Sequence, residues 1–379
     1  MTFSTFRLYN ISYYAIIALM FKLKEDNMNI PKLKIGDLIA NMPIIQGGMG
    51  VGISRSNLAA AVAKEGGIGI ISGAQIGFEE PDFETNTFEA NKRALRKEIK
   101  KAKEMSGDKI IGVNIMVALK NYAEYVKVAV EEKIDLIIAG AGLPIELPKL
   151  VENSNVKIAP IVSSRKAAKL IVEVWEKRFN RRPDAIVVEG PEAGGHLGFK
   201  KEELDQIEKH DLKDIVKDII EYLKELKLQI PVIAAGGIFT GKDIAEYLKI
   251  GAAGVQMATR FVTTHECDAS DEYKQAYINS KKEDIQIIKS PVGMPGRAIR
   301  NDFIKRVETE KDKITKCYGC LRECNPAEIP YCITKALVNA VKGNVDNALL
   351  FVGSNAYRCD KIISVKELMD TLKLELQEA

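Results

Sequence analysis

The chain has 379 residues, 46% of them hydrophobic, which allows a large apolar core without help from disulfides or metals. Its 55 basic and 52 acidic residues leave a net charge of +3, spread through mixed Lys/Glu stretches such as 92–104, and this removes the electrostatic case for a nucleic-acid partner. Six cysteines, four of them between 317 and 332, suit a reducing compartment better than a disulfide framework, so a cytoplasmic protein is expected.

Residues 9–21 are apolar but too short to span a bilayer as a helix, and Arg7 alone is a weak basic start for a signal peptide. Residues 1–27 are therefore expected to be a non-native or disordered extension, with the functional chain opening at Met28 and a short membrane-associating extension as the competing reading. Short apolar runs follow at 43–46, 67–71, 110–115, 134–138, 156–162, 184–188, 230–235 and 253–257. They alternate with helical stretches at 56–65, 86–105, 121–132, 144–152, 165–179, 201–227 and 241–249. Alternating strands and helices predict a parallel sheet, and eight such units predict an α/β fold closed as a (β/α)8 TIM barrel over residues 28–261. An open doubly wound sheet would not need eight. Residues 262–379 leave the pattern, with Pro291, Gly293, Pro295, Gly296 and amphipathic helices at 333–342 and 365–377. They are expected to form a helical segment packed beside or over the barrel mouth.

In such barrels the site lies at the C-terminal ends of the strands. Polar and glycine-rich residues fall there in this chain: Gln46 to Met49, Asn114, Gly140 to Gly142, Glu189 to His196, Gly236-Gly237 and Gln256 to Thr259. Glycines after a strand let backbone approach a ligand that a Cβ would block. The pair Gly236-Gly237, followed by Gln256-Met257-Ala258-Thr259 at the next strand, reads as a phosphate cradle. His196 is the one histidine of three that sits in a strand-end glycine bend. Histidine is the usual acid or base at neutral pH, so His196 is the candidate catalytic group, with turn capping as the competing role. Glu189 at the strand end could bind a flavin hydroxyl, orient the loop or cap the turn; Glu192 is not assigned as a base.

Cys317, Cys320, Cys324 and Cys332 follow a C-x2-C-x3-C-x7-C spacing. Four thiolates so placed suit an iron–sulfur cluster or zinc, and four packing cysteines are the competing reading. No histidine lies nearby, and no second cysteine set supports a metal.

Between about Met42 and Ser270 the chain resembles the nitronate monooxygenase (2-nitropropane dioxygenase) family of FMN-dependent barrel enzymes, which also holds flavin-dependent enoyl-acyl carrier protein reductases. The residues that carry the resemblance are Pro43-Ile-Ile-Gln-Gly-Gly-Met49, Gly112-Val-Asn-Ile-Met116, Glu192-Ala-Gly-Gly-His-Leu-Gly198, Pro231-Val-Ile-Ala-Ala-Gly-Gly-Ile238 and Gln256-Met-Ala-Thr-Arg-Phe261. The resemblance implies Gly47, Gly48 and Met49 along the isoalloxazine ring, with Asn114, Glu189 and Gly194 hydrogen-bonding FMN. It implies Gly236, Gly237, Gln256, Met257, Ala258 and Thr259 around the phosphate, and His196 as the active-site histidine. Glu189 stands where nitronate monooxygenases tend to have Gln, and Gly47-Gly48-Met49 where they tend to have Ala-Pro-Met; both departures resemble the reductase branch.

The expected activity is oxidation of alkyl nitronates with O2. The alternative is NAD(P)H-dependent reduction of enoyl thioesters or quinones, for which no Gly-x-Gly-x-x-Gly fingerprint follows a strand. A non-catalytic flavin sensor with a cysteine switch is the third reading. The expected partner is a small-molecule substrate, with no nucleic acid and no membrane span, in a chain compatible with a homodimer.

Overall fold

The computed structural model describes residues 30–379, so the expected extension over 1–27 and the start at Met28 lie outside the described residues. A short antiparallel hairpin comes first, β1 (Leu33–Ile35) and β2 (Leu38–Ala40), turned by Gly36 at a φ of +61°. Strands of three residues carry too little periodicity to be read from sequence. The barrel strands follow: β3 (Ile44–Gln46), β4 (Gly69–Ser72), β5 (Ile111–Met116), β6 (Leu136–Gly140), β7 (Lys157–Val162) and β8 (Ile186–Glu189). After the two-residue β9 (Gly195–His196) come β10 (Val232–Ala235) and β11 (Gly254–Met257). Each barrel strand pairs in parallel with the next. The ring closes where Gln46 N–H donates to Ile68 O and Ile68 N–H donates to Ile44 O, both at 2.9 Å. The fold is the TIM barrel that the sequence predicts.

Strands buried on both faces explain the unbroken apolar runs. Ile45, Ile70, Leu136, Ile138, Val187 and Ile233 fill the interior, and Leu33 and Ile35 of the hairpin pack into the same cluster. The hairpin closes the end from which the strands start, where Asp37 pairs with Lys157 at 2.7 Å. That leaves the opposite end open to ligands.

The outer helices form where helical periodicity places them, from Ser56–Lys64 to Gly241–Lys249. The expected helix over 201–227 is divided, because Asp211 starts a new one at Leu212–Glu225 by accepting from Lys213 N–H at 2.6 Å.

The C-terminal segment differs from expectation in two respects. Its last helix, Val365–Gln377, does not lie over the mouth. Val365, Leu368, Met369 and Leu372 share a core with Leu58, Val62 and Ile244, so this helix packs beside Ser56–Lys64 and Gly241–Lys249 as the eighth of the outer ring. Residues 263–364 are therefore an insertion in the last strand-to-helix connection, which begins at the C-terminal face of the barrel. The insertion is also not purely helical. Antiparallel β12 (Ile285–Lys289) and β13 (Pro295–Ile299) enclose the Pro/Gly-rich stretch, and β13 pairs Gly296 with His196 and Arg297 with Gly195. No helix among the described residues is long and apolar enough to cross a membrane.

Candidate active site

One cleft at the C-terminal ends of the strands is lined by every candidate site residue except the cysteines. Gly47, Gly48 and Met49 enter from β3, Asn114 from β5, and Glu189, Gly194 and His196 from β8 and the bend after it. Gly236 and Gly237 follow β10, while Gln256 and Met257 end β11 before Ala258 and Thr259. Backbone forms much of this lining. Gly236 and Gly237 have φ values of +99° and +76°, a region that only glycine adopts without strain. A Cβ on Gly236 would stand 2.9 Å from Ala193 N, and one on Gly237 2.6 Å from Glu192 Oε2. On the other wall a Cβ on Gly48 would overlap Asn114 Cβ.

A flavin fits these residues. Gln256 Oε1 is buried with no hydrogen-bond partner among the described residues, an acceptor that a ligand N–H or hydroxyl would satisfy. The two left-handed glycines offer bare backbone where a phosphate needs close approach.

Glu189 and His196 are both held against carrying charge. Burial alone pushes the Glu189 carboxyl up to about 7. Burial alone also pushes the His196 imidazole down to about 4. The histidine therefore does not titrate near neutrality, as the sequence suggests it would. At pH 7 it is an uncharged imidazole.

The insertion builds a wall of the cleft that sequence reasoning missed. Tyr273 and Tyr277 both donate their hydroxyls to Phe351 O, at 3.2 and 2.6 Å. The Phe351 ring meets the His196 ring edge-on at 4.8 Å between centroids. Asn355 Nδ2 donates to Gly237 O at 2.7 Å, which ties the insertion to the glycine pair. Arg297 is 4% exposed and donates to Pro191 O at 2.7 Å and to Ala193 O, holding the bend that carries His196. Ser290 Oγ lies 2.7 Å from His196 Nε2. These residues stand in ordinary turn and strand patterns far along the chain, so local spacing gave no signal for them.

The four clustered cysteines stand apart from the cleft lining. Burial, then the neighbouring Cys332, Cys324 and Cys317, push Cys320 up to about 11, so the four thiols share one neighbourhood. Cys320 and Cys324 pack against a cluster that includes Leu321, Tyr331 and Ile333. Among the described residues no three Cys, His, Asp or Glu side chains converge on a point that could hold a metal.

A family model described as nitronate monooxygenase matches residues 32–375, nearly the whole chain. The chain belongs to that family. This nitronate monooxygenase family member is thereby an FMN-dependent oxidoreductase on a TIM barrel. A probable nitronate monooxygenase of Staphylococcus aureus (strain Newman) is 31% identical over 284 residues, covering 70% of this chain and 77% of that protein. A (3aS,4S,5R,7aS)-5-hydroxy-7a-methyl-1-oxo-octahydro-1H-indene-4-carboxyl-CoA dehydrogenase of Rhodococcus jostii (strain RHA1) is 29% identical over 266 residues. That match spans 70% of this chain and 65% of the dehydrogenase, just short of two thirds of its length. Among solved structures, FabK from Thermotoga maritima superposes with a TM-score of 0.69 at 28% identity, covering 89% of this chain and 93% of that one. A nitroalkane oxidase from Streptomyces ansochromogenes shares the fold, with a TM-score of 0.68 at 21% identity over 89% of this chain and 96% of its own.

Proposed function

We propose that this enzyme holds FMN in the cleft and oxidises alkyl nitronates with O2. The observation that carries the reading is a histidine in a glycine-built bend on the cleft wall, where burial pushes its imidazole down. Gly236, Gly237 and the stretch from Gln256 to Thr259 would hold the phosphate. Asn114, Glu189 and Gly194 would hold the ring and ribityl chain, and the backbone of Gly47, Gly48 and Met49 would lie along the ring. When bound, FMN supplies the redox chemistry, taking electrons from the substrate and passing them to O2. A nitronate is already deprotonated, so it asks for a hydrogen-bond donor more than for a base. An imidazole pushed down to about 4 is a weak base, but its remaining N–H is a good donor. Glu189 fits the same logic. A carboxyl pushed up to about 7 keeps part of its negative charge out of a site that an anion must enter.

A second reading is favoured by Glu189 and by Gly47-Gly48, which match the reductase branch, and by the FabK likeness. In it the enzyme is an NAD(P)H-dependent reductase of enoyl thioesters or quinones, and His196 polarises the substrate carbonyl. Anaerobic mixing separates the two. Bleaching of the flavin by an alkyl nitronate, but not by NADH or NADPH, supports the oxidase reading. Bleaching by either nicotinamide, with colour restored by an enoyl thioester or quinone, replaces it. Stable colour with every donor would return the chain to flavin binding without turnover.

A further inference from the structure

The insertion does more than wall the cleft, because it brings a buried hydroxyl within hydrogen-bonding distance of the His196 ring. Ser290 follows β12 and opens the hairpin turn, and β13 returns to pair directly with His196 through Gly296. This brings the Ser290 hydroxyl to 2.7 Å from His196 Nε2 across 94 residues of sequence. Ser290 is 2% exposed, so its hydroxyl proton must find an acceptor inside the protein. Ser290 Oγ already accepts from Val292 N–H at 3.3 Å, and Nε2 is the acceptor that lies within reach of the hydroxyl proton. If Nε2 carried the proton instead, the buried hydroxyl would have nowhere to donate.

We propose that Ser290 is a positioning residue that holds His196 as the Nδ1–H tautomer, so that the ring meets a substrate oxygen as a donor and does not act as a base through Nε2. The inference rests on the proposed use of His196 in the cleft and sharpens it. With Nε2 occupied, Nδ1–H is the ring's remaining polar group, and no other hydrogen bond engages the ring among the described residues. Phe351 packs edge-on against the ring at 4.8 Å between centroids. The chemistry selected is donation to an oxygen that bears or develops negative charge, which both a nitronate and a thioester carbonyl offer.

The test uses the flavin-loaded enzyme labelled with 15N at histidine, which has only His196, His210 and His265 to assign. The expected result for His196 at pH 7 is a protonated Nδ1 and an unprotonated Nε2. Ser290→Ala should convert the ring to the Nε2–H form and lower kcat/KM about tenfold, the effect of losing one orienting hydrogen bond. Ser290→Thr, which keeps the hydroxyl, should retain the Nδ1–H form and most of the rate. Flavin content measured in parallel identifies a variant that has failed to fold, and the wild-type spectrum then stands as the deciding measurement. An Nε2–H ring in the wild type, or the same tautomer in wild type and Ser290→Ala, overturns the proposal. An Nδ1–H ring in an enzyme that ignores nitronates leaves it standing and removes the substrate reading instead.

Discussion

Replacing Glu189 with Gln isolates one half-buried carboxyl at the end of β8. Burial disfavours its charged form, so the folded protein holds this proton more tightly than the unfolded chain does, with a pKa of about 7 against an ordinary 4.5. The sign follows from linkage. Stability attributable to Glu189 is untouched below about pH 4.5, falls as pH rises towards 7, and stays lost above that. At about 1.4 kcal/mol per pH unit, the difference between 4.5 and about 7 corresponds to about 3 kcal/mol. Glu189 borders the cleft, and water there reduces the loss towards about 2 kcal/mol. Glu189→Gln removes the penalty while keeping the shape. Urea unfolding of flavin-free protein should therefore show the variant equal to wild type near pH 4.5 and more stable by about 2–3 kcal/mol at pH 8. All other titrating groups are common to the two proteins, so the difference between their pH profiles reports this carboxyl alone. A difference that does not change with pH, or a variant less stable than wild type at pH 8, would refute the argument.

His196→Asn should keep the flavin and the fold while lowering turnover by about 10²–10⁴-fold, read as steady-state rates with whichever donor bleaches the flavin. Gly237→Val should release the flavin, since a side chain there meets both a φ of +76° and the Glu192 carboxylate; flavin per chain after purification checks this. Arg297→Met leaves the carbonyls of Pro191 and Ala193 without their buried donor and should cost about 2–4 kcal/mol in urea unfolding, with kcat falling as the His196 bend loosens. Anaerobically purified protein should lack stoichiometric iron, acid-labile sulfide or zinc; near-stoichiometric metal would show that Cys317, Cys320, Cys324 and Cys332 can close on an ion.

The barrel was legible because each strand is buried on both faces and each is followed by a helix, so hydrophobic runs and helical periodicity alternate plainly along the chain. The glycine and polar residues at the strand ends were legible for a related reason. In a parallel barrel all strands point the same way, so residues just after each strand meet at one face whatever their sequence separation. Asn114, Glu189, Gly237 and Gln256 thus come together from a rule about direction alone.

Tertiary structure decided what local pattern cannot carry. Val365–Gln377 is amphipathic in sequence, but only packing shows that its apolar face completes the outer ring and does not cover the mouth. That placement makes residues 263–364 an insertion at the cleft face of the barrel, and it brings Ser290, Arg297 and Phe351 to the bend that carries the histidine. The protonation states of Glu189 and His196 belong to the same level. A side chain's ordinary pKa is a property of its type, whereas its desolvation depends on every neighbour that excludes water, and those neighbours are scattered across the chain. Sequence therefore determined the barrel and the end of it that carries the site, while the fold determined which charges that site can hold.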